Sequence, residues 1–281
     1  VTMLQTILAP NPSPLTGPGT NTFLLGERDI AVIDPGPDIA GHREAILAAG
    51  AGRISHILVT HAHLDHSAGA AALSAATGAP VLAFGTADAG RSPFMESLVT
   101  TAGGGEGRDT AFMPDRRITH DEEIAGRDWK LRAIHTPGHM GGHLSFLWED
   151  TLFCGDVILG WSSTLISPPD GDLLDYFRSL DRIEALRTSG LLPAHGDPIE
   201  SPAARIAELR EHRQERSAQI LRALANGPAD AANLARRIYE VPPALLPAAA
   251  RNVLAHLIAL TQLGATTTPG PITPESQFSL R

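Results

Sequence analysis

Residues 57–66 read Ile57-Leu58-Val59-Thr60-His61-Ala62-His63-Leu64-Asp65-His66. The opening apolar run has the length and composition of a buried strand. A strand that ends in three imidazoles and a carboxylate puts metal-binding groups at a sheet edge, where ligands usually bind. Successive residues of extended chain point to opposite sides, so His61, His63 and Asp65 are expected to share one direction and His66 to take another. One short segment can then serve two neighbouring cations. A merely polar, His-rich loop is the alternative, and the spacing argues against it.

Three later stretches supply what this segment lacks. Thr136-Pro137-Gly138-His139 follows an apolar run, Phe153-Cys154-Gly155-Asp156 closes another, and Pro193-Ala194-His195-Gly196 closes a third. Each places a His or Asp just past a strand end, where a rigid sheet can hold it accurately. Two divalent ions need about six protein ligands and a shared water, and the count is met. His61, His63 and His139 suit one ion; Asp65, His66 and His195 suit the other; Asp156 bridges. Neutral imidazole and carboxylate suit zinc above all, with iron or manganese also compatible. Two such ions about 3.5–4 Å apart lower the pKa of a bridging water toward neutrality and polarise a substrate oxygen. Asp65 is expected to help orient that nucleophile, so no Ser or Cys nucleophile is required.

The remaining candidates receive plainer roles. One imidazole per turn is enough, so His143 is expected to support a ligand rather than be one. Asp34, before Pro35-Gly36, either orients a ligand imidazole or simply forms a turn. Ser67 reads as the cap of the following helix. Cys154 reads as a buried core thiol. His42, His56, His120, His135, His212 and His256 sit in no partner motif and read as ordinary.

Composition bounds the rest. The chain has 281 residues and 43% hydrophobic content, ample for one large domain or one of about 200 residues with a small companion. A single cysteine excludes an internal disulfide framework and a thiolate zinc cluster, so any metal must be held by His and Asp. No apolar run is read as a membrane span, and no charged n-region with an h-region is visible at the N-terminus, which points to the cytoplasm. Residues 1–199 carry 13 Lys+Arg against 24 Asp+Glu, a balance of −11, and residues 200–281 carry 9 against 7, a balance of +2. An acidic body argues against broad nucleic-acid binding. Arg205, Arg210, Arg213 and Arg216 are interleaved with Glu208, Glu211 and Glu215, which reads as a solvated, self-paired helix face.

Along the chain, strands are expected at 2–9, 22–34, 54–60, 80–83, 116–134, 144–148, 151–154 and 191–194. Helices are expected at 40–50, 67–77 and 172–187. That pattern is α/β, with helices outside sheets. Residues 85–115 read as a long, mobile loop with one short helix. From Pro202 the character changes to three helices, at 202–225, 229–239 and 244–263, and a wing hairpin over the last seventeen residues. The expected domains are 1–200 and 201–281.

With these motifs assembled in order, the chain resembles the metallo-β-lactamase-fold hydrolases. The resemblance implies a four-layer αββα sandwich with a dinuclear site at one edge, and ligand roles as assigned above. Asn11-Pro12-Ser13-Pro14, Gly19-Thr20-Asn21-Thr22-Phe23-Leu24-Leu25-Gly26 and Asp175-Tyr176-Phe177-Arg178-Ser179-Leu180 look like the LACTB2-like subgroup. So do Arg237-Ile238-Tyr239 and Asn252-Val253-Leu254-Ala255-His256-Leu257. In that subgroup the tail is similar to a winged helix, and some members are endoribonucleases. The favoured expectation is hydrolysis of a small-molecule ester, thioester or lactone, as in glyoxalase II. Single-strand RNA cleavage is the alternative. A β-lactamase is disfavoured by the aspartate bridge and the lack of an export signal, and a non-catalytic DNA-binding module by the intact ligand set. The tail is expected to pack over the site's mouth or to form a homodimer contact.

Overall fold

The computed structural model describes residues 3–281. The sequence builds two sheets face to face. The first contains β1 (Leu4–Leu8), β2 (Asn21–Leu25), β3 (Ile30–Ile33), β4 (Ile54–Leu58), β5 (Val81–Ala83) and β6 (Arg116–Arg117), in that spatial order. Its first three strands are antiparallel and the rest run parallel from β3 onward. The second contains β7 (Glu123–Ala125), β8 (Lys130–His135), β9 (Leu144–Trp148), β10 (Thr151–Gly155) and β11 (Gly190–Pro193), in the order β11-β10-β9-β8-β7. Only the β10–β11 pair there is parallel.

Strands buried on both faces explain the near-continuous apolar runs. Ile33, Leu58, Leu82, Leu131, Phe146 and Phe153 fill the space between the sheets. The outer face of the first sheet is covered by α1 (Ala40–Gly50) and α3 (Ala70–Thr77), which bury Ile46 and Leu73 against Val32 and Ile57. The outer face of the second is covered by α5 (Leu173–Leu186), where Tyr176, Leu180 and Ile183 pack on Ile134, Leu152 and Leu191. The result is the expected αββα arrangement. The 67–77 helix is the one that differs: a one-turn α2 (Leu64–Ser67) precedes α3.

Beyond Pro202 come α6 (Pro202–Leu224), α7 (Ala231–Ile238) and α8 (Leu246–Gln262), then a two-residue ladder of β12 (Thr266–Thr267) with β13 (Ser279–Leu280). This is the expected three helices and wing. Their shared core includes Ile220, Leu234, Val253, Leu257 and Phe278. Residues 243–262 are in fact long and apolar enough to cross a membrane, contrary to the sequence reading. Their Val253–Leu260 stretch is instead buried, partly among the C-terminal helices and, at Ala255 and Ala259, against the core outside the second sheet.

Two further expectations are corrected here. Residues 85–115 are not a loose loop: α4 (Pro93–Glu96) and its flank insert Met95, Leu98 and Ala102 into the core of the C-terminal helices. Nor do the α6 arginines form one self-paired surface. Arg213 is only 1% exposed. Arg205 donates to the Leu159 and Ser162 carbonyls as well as pairing with Glu208. Arg210 pairs with Asp181 and Glu184 of α5, and Arg216 lies 3.8 Å from the Tyr239 ring centre. Spacing alone could not separate a helix face in water from one pressed on another domain.

Candidate metal centre

All seven predicted ligands meet at one edge of the sandwich, beyond the C-terminal ends of β4, β8, β10 and β11. They fall into three overlapping clusters: His61, His63 and His139; Asp65, His66 and His195; and His61, His66 and Asp156. The third cluster places Asp156 between the other two. His61, His66, His139, Asp156 and His195 are buried, while His63 and Asp65 are partly open to a cavity.

Side chains alternate as expected at His61 and His63 but no longer at Asp65. Extended chain ends at His63, the N-cap of α2. Asp65 and His66 therefore sit on one helical turn and face the same way, with Asp65 Oδ2 3.3 Å from His66 Nε2. The Ser67 reading also changes. The N-cap of α3 is Gly69, and Ser67 Oγ lies 2.9 Å from the His63 carbonyl and 2.8 Å from Asp109 Oδ2, with one proton for the two acceptors. It pins the ligand turn to the 109 loop.

At each later ligand a glycine permits the sharp turn. Gly138 has φ 138°, and a Cβ there would lie 2.4 Å from the Tyr176 backbone. Gly155 has φ 52°, and a Cβ there would lie 2.5 Å from His143 Nε2. A side chain at either position would push the neighbouring ligand out of place.

Hydrogen bonds fix which nitrogen each imidazole offers. His139 Nδ1 donates to the Leu165 carbonyl at 2.7 Å, and His195 Nδ1 to the Gly19 carbonyl at 3.1 Å. His66 Nδ1 lies 3.0 Å from Asp34 Oδ2. Thr60 Oγ1 donates to Asp34 Oδ2 at 2.8 Å and so accepts from His61 Nδ1 at 3.0 Å. Each of these rings thereby turns the lone pair of Nε2 toward its neighbours. His143 accepts from the Asp156 backbone N–H at 3.1 Å, the supporting role expected of it. Asp34 takes the orienting role, and its turn geometry, φ 51°, is what aims the carboxylate. Thr60, Thr164 and the Gly19 and Leu165 carbonyls were invisible to sequence reasoning, because they carry no motif and are supplied by packing.

The donors fit divalent cations. His61 Nε2 and His139 Nε2 lie 2.9 and 3.0 Å from His63 Nδ1. With both Nε2 atoms presenting lone pairs, either a proton on His63 Nδ1 or a cation must lie among the three nitrogens. A tetrahedral ion with metal–nitrogen bonds of about 2.0–2.1 Å spaces its ligands only slightly wider, at about 3.3 Å. Among the described residues, His66 Nε2 and Asp156 Oδ1 are buried without a hydrogen-bond partner, which is costly unless an ion satisfies them.

The electrostatics agree. Burial holds the His61 and His139 imidazoles below their ordinary range and lowers His63 to about 3, leaving all three neutral as ligands must be. Burial also opposes protonation of His66 and His195. The carboxylates of Asp65 and Asp156 outweigh it, raising His66 well above its ordinary value and His195 to about 10. Asp65 and Asp156 are in turn held low by these imidazoles, against burial. A pocket that draws protons onto histidines in this way is one that draws cations. Cys154 is a buried thiol, as expected, and burial pushes its pKa up.

Residues 15–195 match the metallo-beta-lactamase superfamily model, and residues 231–268 match a beta-lactamase associated winged helix domain. A beta-lactamase-like protein 2 homolog from Drosophila melanogaster is 34% identical, covering 92% of this chain and 87% of that protein. An atrochrysone carboxyl ACP thioesterase from Aspergillus fumigatus is 28% identical, covering 85% and 74%. Among solved structures, a metallo-beta-lactamase family protein from Thermus thermophilus superposes with a TM-score of 0.79 at 26% identity, covering 99% of this chain and 98% of that one.

Proposed function

This chain belongs to the metallo-β-lactamase superfamily of hydrolases, and we propose that it cleaves a small-molecule thioester, ester or lactone at a two-cation centre. The reading rests on one observation: seven His and Asp side chains converge in three overlapping clusters. We assign His61, His63 and His139 to one ion, Asp65, His66 and His195 to the other, and Asp156 to both. Zinc is the ion we propose, since imidazole-rich sites completed by carboxylate suit it, and iron and manganese are the competitors. When bound, such a pair would bring a shared water's pKa near neutrality and polarise the scissile carbonyl. Asp65 is partly open to the cavity, and its carboxylate can accept from a water there, so it would orient the attacking water.

The cavity over the site has a volume of about 240 Å³ and is lined by Leu15, Leu159, Trp161 and Leu165 beside the ligands. Apolar walls suit an acyl group. Among the described residues, no Lys or Arg lines the cavity, and its charged groups other than histidine are Glu106, Asp65 and Asp156. A single-strand nuclease tracks its substrate with positive charge, so RNA cleavage is the less favoured reading. Past Trp161 a wider groove of about 740 Å³ carries Asp197, Glu200 and Glu208, with Arg205 already engaged. The thioesterase named among the relatives supports thioester cleavage at this centre. We further propose that the catalytic unit spans 1–200, that 201–281 forms the winged-helix-like unit, and that the protein works in the cytoplasm.

The test is one preparation assayed on S-acyl thioesters and on short single-stranded RNA, before and after chelation. Chelation should abolish thioester cleavage and zinc should restore it. Full activity in a preparation shown by mass spectrometry to hold no metal would overturn the mechanism. Cleavage of RNA alone would reverse the choice of substrate.

A further inference from the structure

We propose that the C-terminal helices set the orientation of His139, with Arg213 and Asn252 acting as positioning residues for the ion assigned to His61, His63 and His139. The inference rests on His139 being a ligand, as argued above.

The link is a short relay. His139 Nδ1 is 2.7 Å from the Leu165 carbonyl and 3.1 Å from Thr164 Oγ1. A carbonyl only accepts, so this contact keeps the proton on Nδ1 and frees Nε2. Residues 162–166 lie in no helix or strand, so no ladder holds the Leu165 carbonyl in place. The C-terminal unit instead holds this peptide, through its N–H, and the peptide before it, through its carbonyl. The Thr164 carbonyl accepts from Arg213 Nη2 of α6. The Ile166 N–H donates to Asn252 Oδ1 of α8 at 3.0 Å, and that oxygen also accepts from Arg213 Nη1 at 3.1 Å. From the adjacent position on α8, Arg251 donates to Ser167 Oγ, to the Pro168 carbonyl and to the Ala102 carbonyl.

Arg213 makes the case beyond packing. Its guanidinium is buried, lies 5.4 Å from the Tyr176 ring centre, and has no carboxylate within 4 Å among the described residues. Burying an unpaired cation is costly, and an apolar side chain would fill the space more cheaply. What the charge supplies is a donor pair that fixes Thr164 and Asn252 together. Partners that orient a ligand imidazole commonly change metal affinity 10–100-fold when lost.

Full-length Arg213→Gln, Asn252→Ala and Asn252→Asp variants test this by cobalt(II) titration against a competing chelator, resolving the two ions. Asn252→Ala and Arg213→Gln should weaken one ion about 10–100-fold and leave the other within about threefold. Asn252→Asp keeps both acceptor contacts and should restore binding. In chelator-treated protein, ¹⁵N shifts of His139 should report the Nδ1–H tautomer in wild type and a mixture in Asn252→Ala. Arg210→Gln, on the same helix but paired to the α5 surface, should match wild type. Should Arg213→Gln not fold, Asn252→Ala decides the matter. Equal weakening of both ions, or unchanged affinity with an unchanged tautomer, overturns the relay. A wild type that takes up no cobalt overturns the metal centre itself, and the relay falls with it for that separate reason.

Discussion

Asp34 shows how much of the centre depends on a single side chain. Its carboxylate accepts from the Thr60 N–H at 2.7 Å, from the Thr60 hydroxyl at 2.8 Å, and faces His66 Nδ1 at 3.0 Å. It orients His66 directly and His61 through Thr60. Asn at this position keeps the shape and loses the charge and one acceptor. Asp34→Asn is expected to weaken binding of the ion assigned to Asp65, His66 and His195 by about 10–100-fold. Chelator competition measures it, and wild-type affinity in the variant would return Asp34 to the plain turn-forming role. Asp156 is more severe, because it lies between both clusters. Asp156→Ala should lower hydrolysis by about a thousandfold or more, since several kcal/mol of charge stabilisation depend on the ion pair.

Elements carry these side chains to the site, and glycines let the elements end where they must. β10 stops at Gly155, whose left-handed backbone turns Asp156 toward the ligands while its bare Cα leaves room for His143. Gly155→Ala meets both a strained φ and His143 Nε2. The φ alone costs about 1–2 kcal/mol, and the clash adds to it. The urea midpoint should fall at constant slope, with the bound-ion stoichiometry dropping below wild type. An unchanged midpoint would show that the turn tolerates a side chain. α2 makes the converse point: one helical turn brings the consecutive Asp65 and His66 together, which a continuing strand would have separated.

Across the whole molecule, the C-terminal helices are joined to the sandwich by polar contacts with loops around the site and by the inserted Met95, Leu98 and Ala102. The same region holds a buried titratable group outside the centre. His256 of α8 is fully buried, with Nδ1 2.8 Å from Ser217 Oγ and Nε2 without a partner. Burial, and then the nearby Arg213, Arg216 and His212, hold its pKa well below the ordinary value. The unfolded chain therefore takes up a proton near pH 6.5 that the folded chain refuses. Stability from this group is present above that pH and is lost as pH falls below it, by about 1 kcal/mol at pH 5.5. In chelator-treated protein, His256→Gln should flatten the fall in unfolding free energy between pH 7.5 and 5.5. Parallel curves for variant and wild type would exclude His256 as a cause.

What the sequence determined by itself was the chemistry and the order of its parts. Ligand atoms follow from residue type, strand ends from apolar runs that stop at Gly or Pro, and the His61–His66 cluster from spacing within one segment. Local interactions govern all of these, so they are legible in a linear string. The three-helix tail was legible for the same reason, through helical periodicity and its Gly and Pro breaks. Tertiary structure alone decided the rest. That Asp65 and His66 converge depends on where β4 gives way to α2. That Arg213 is buried, and that residues 85–115 pack against the C-terminal helices, depends on which surfaces meet. The tautomers of His139 and His195 are set by carbonyls of Leu165 and Gly19, 26 and 176 positions away. A backbone carbonyl has no residue signature, and only the folded chain determines which one an imidazole finds.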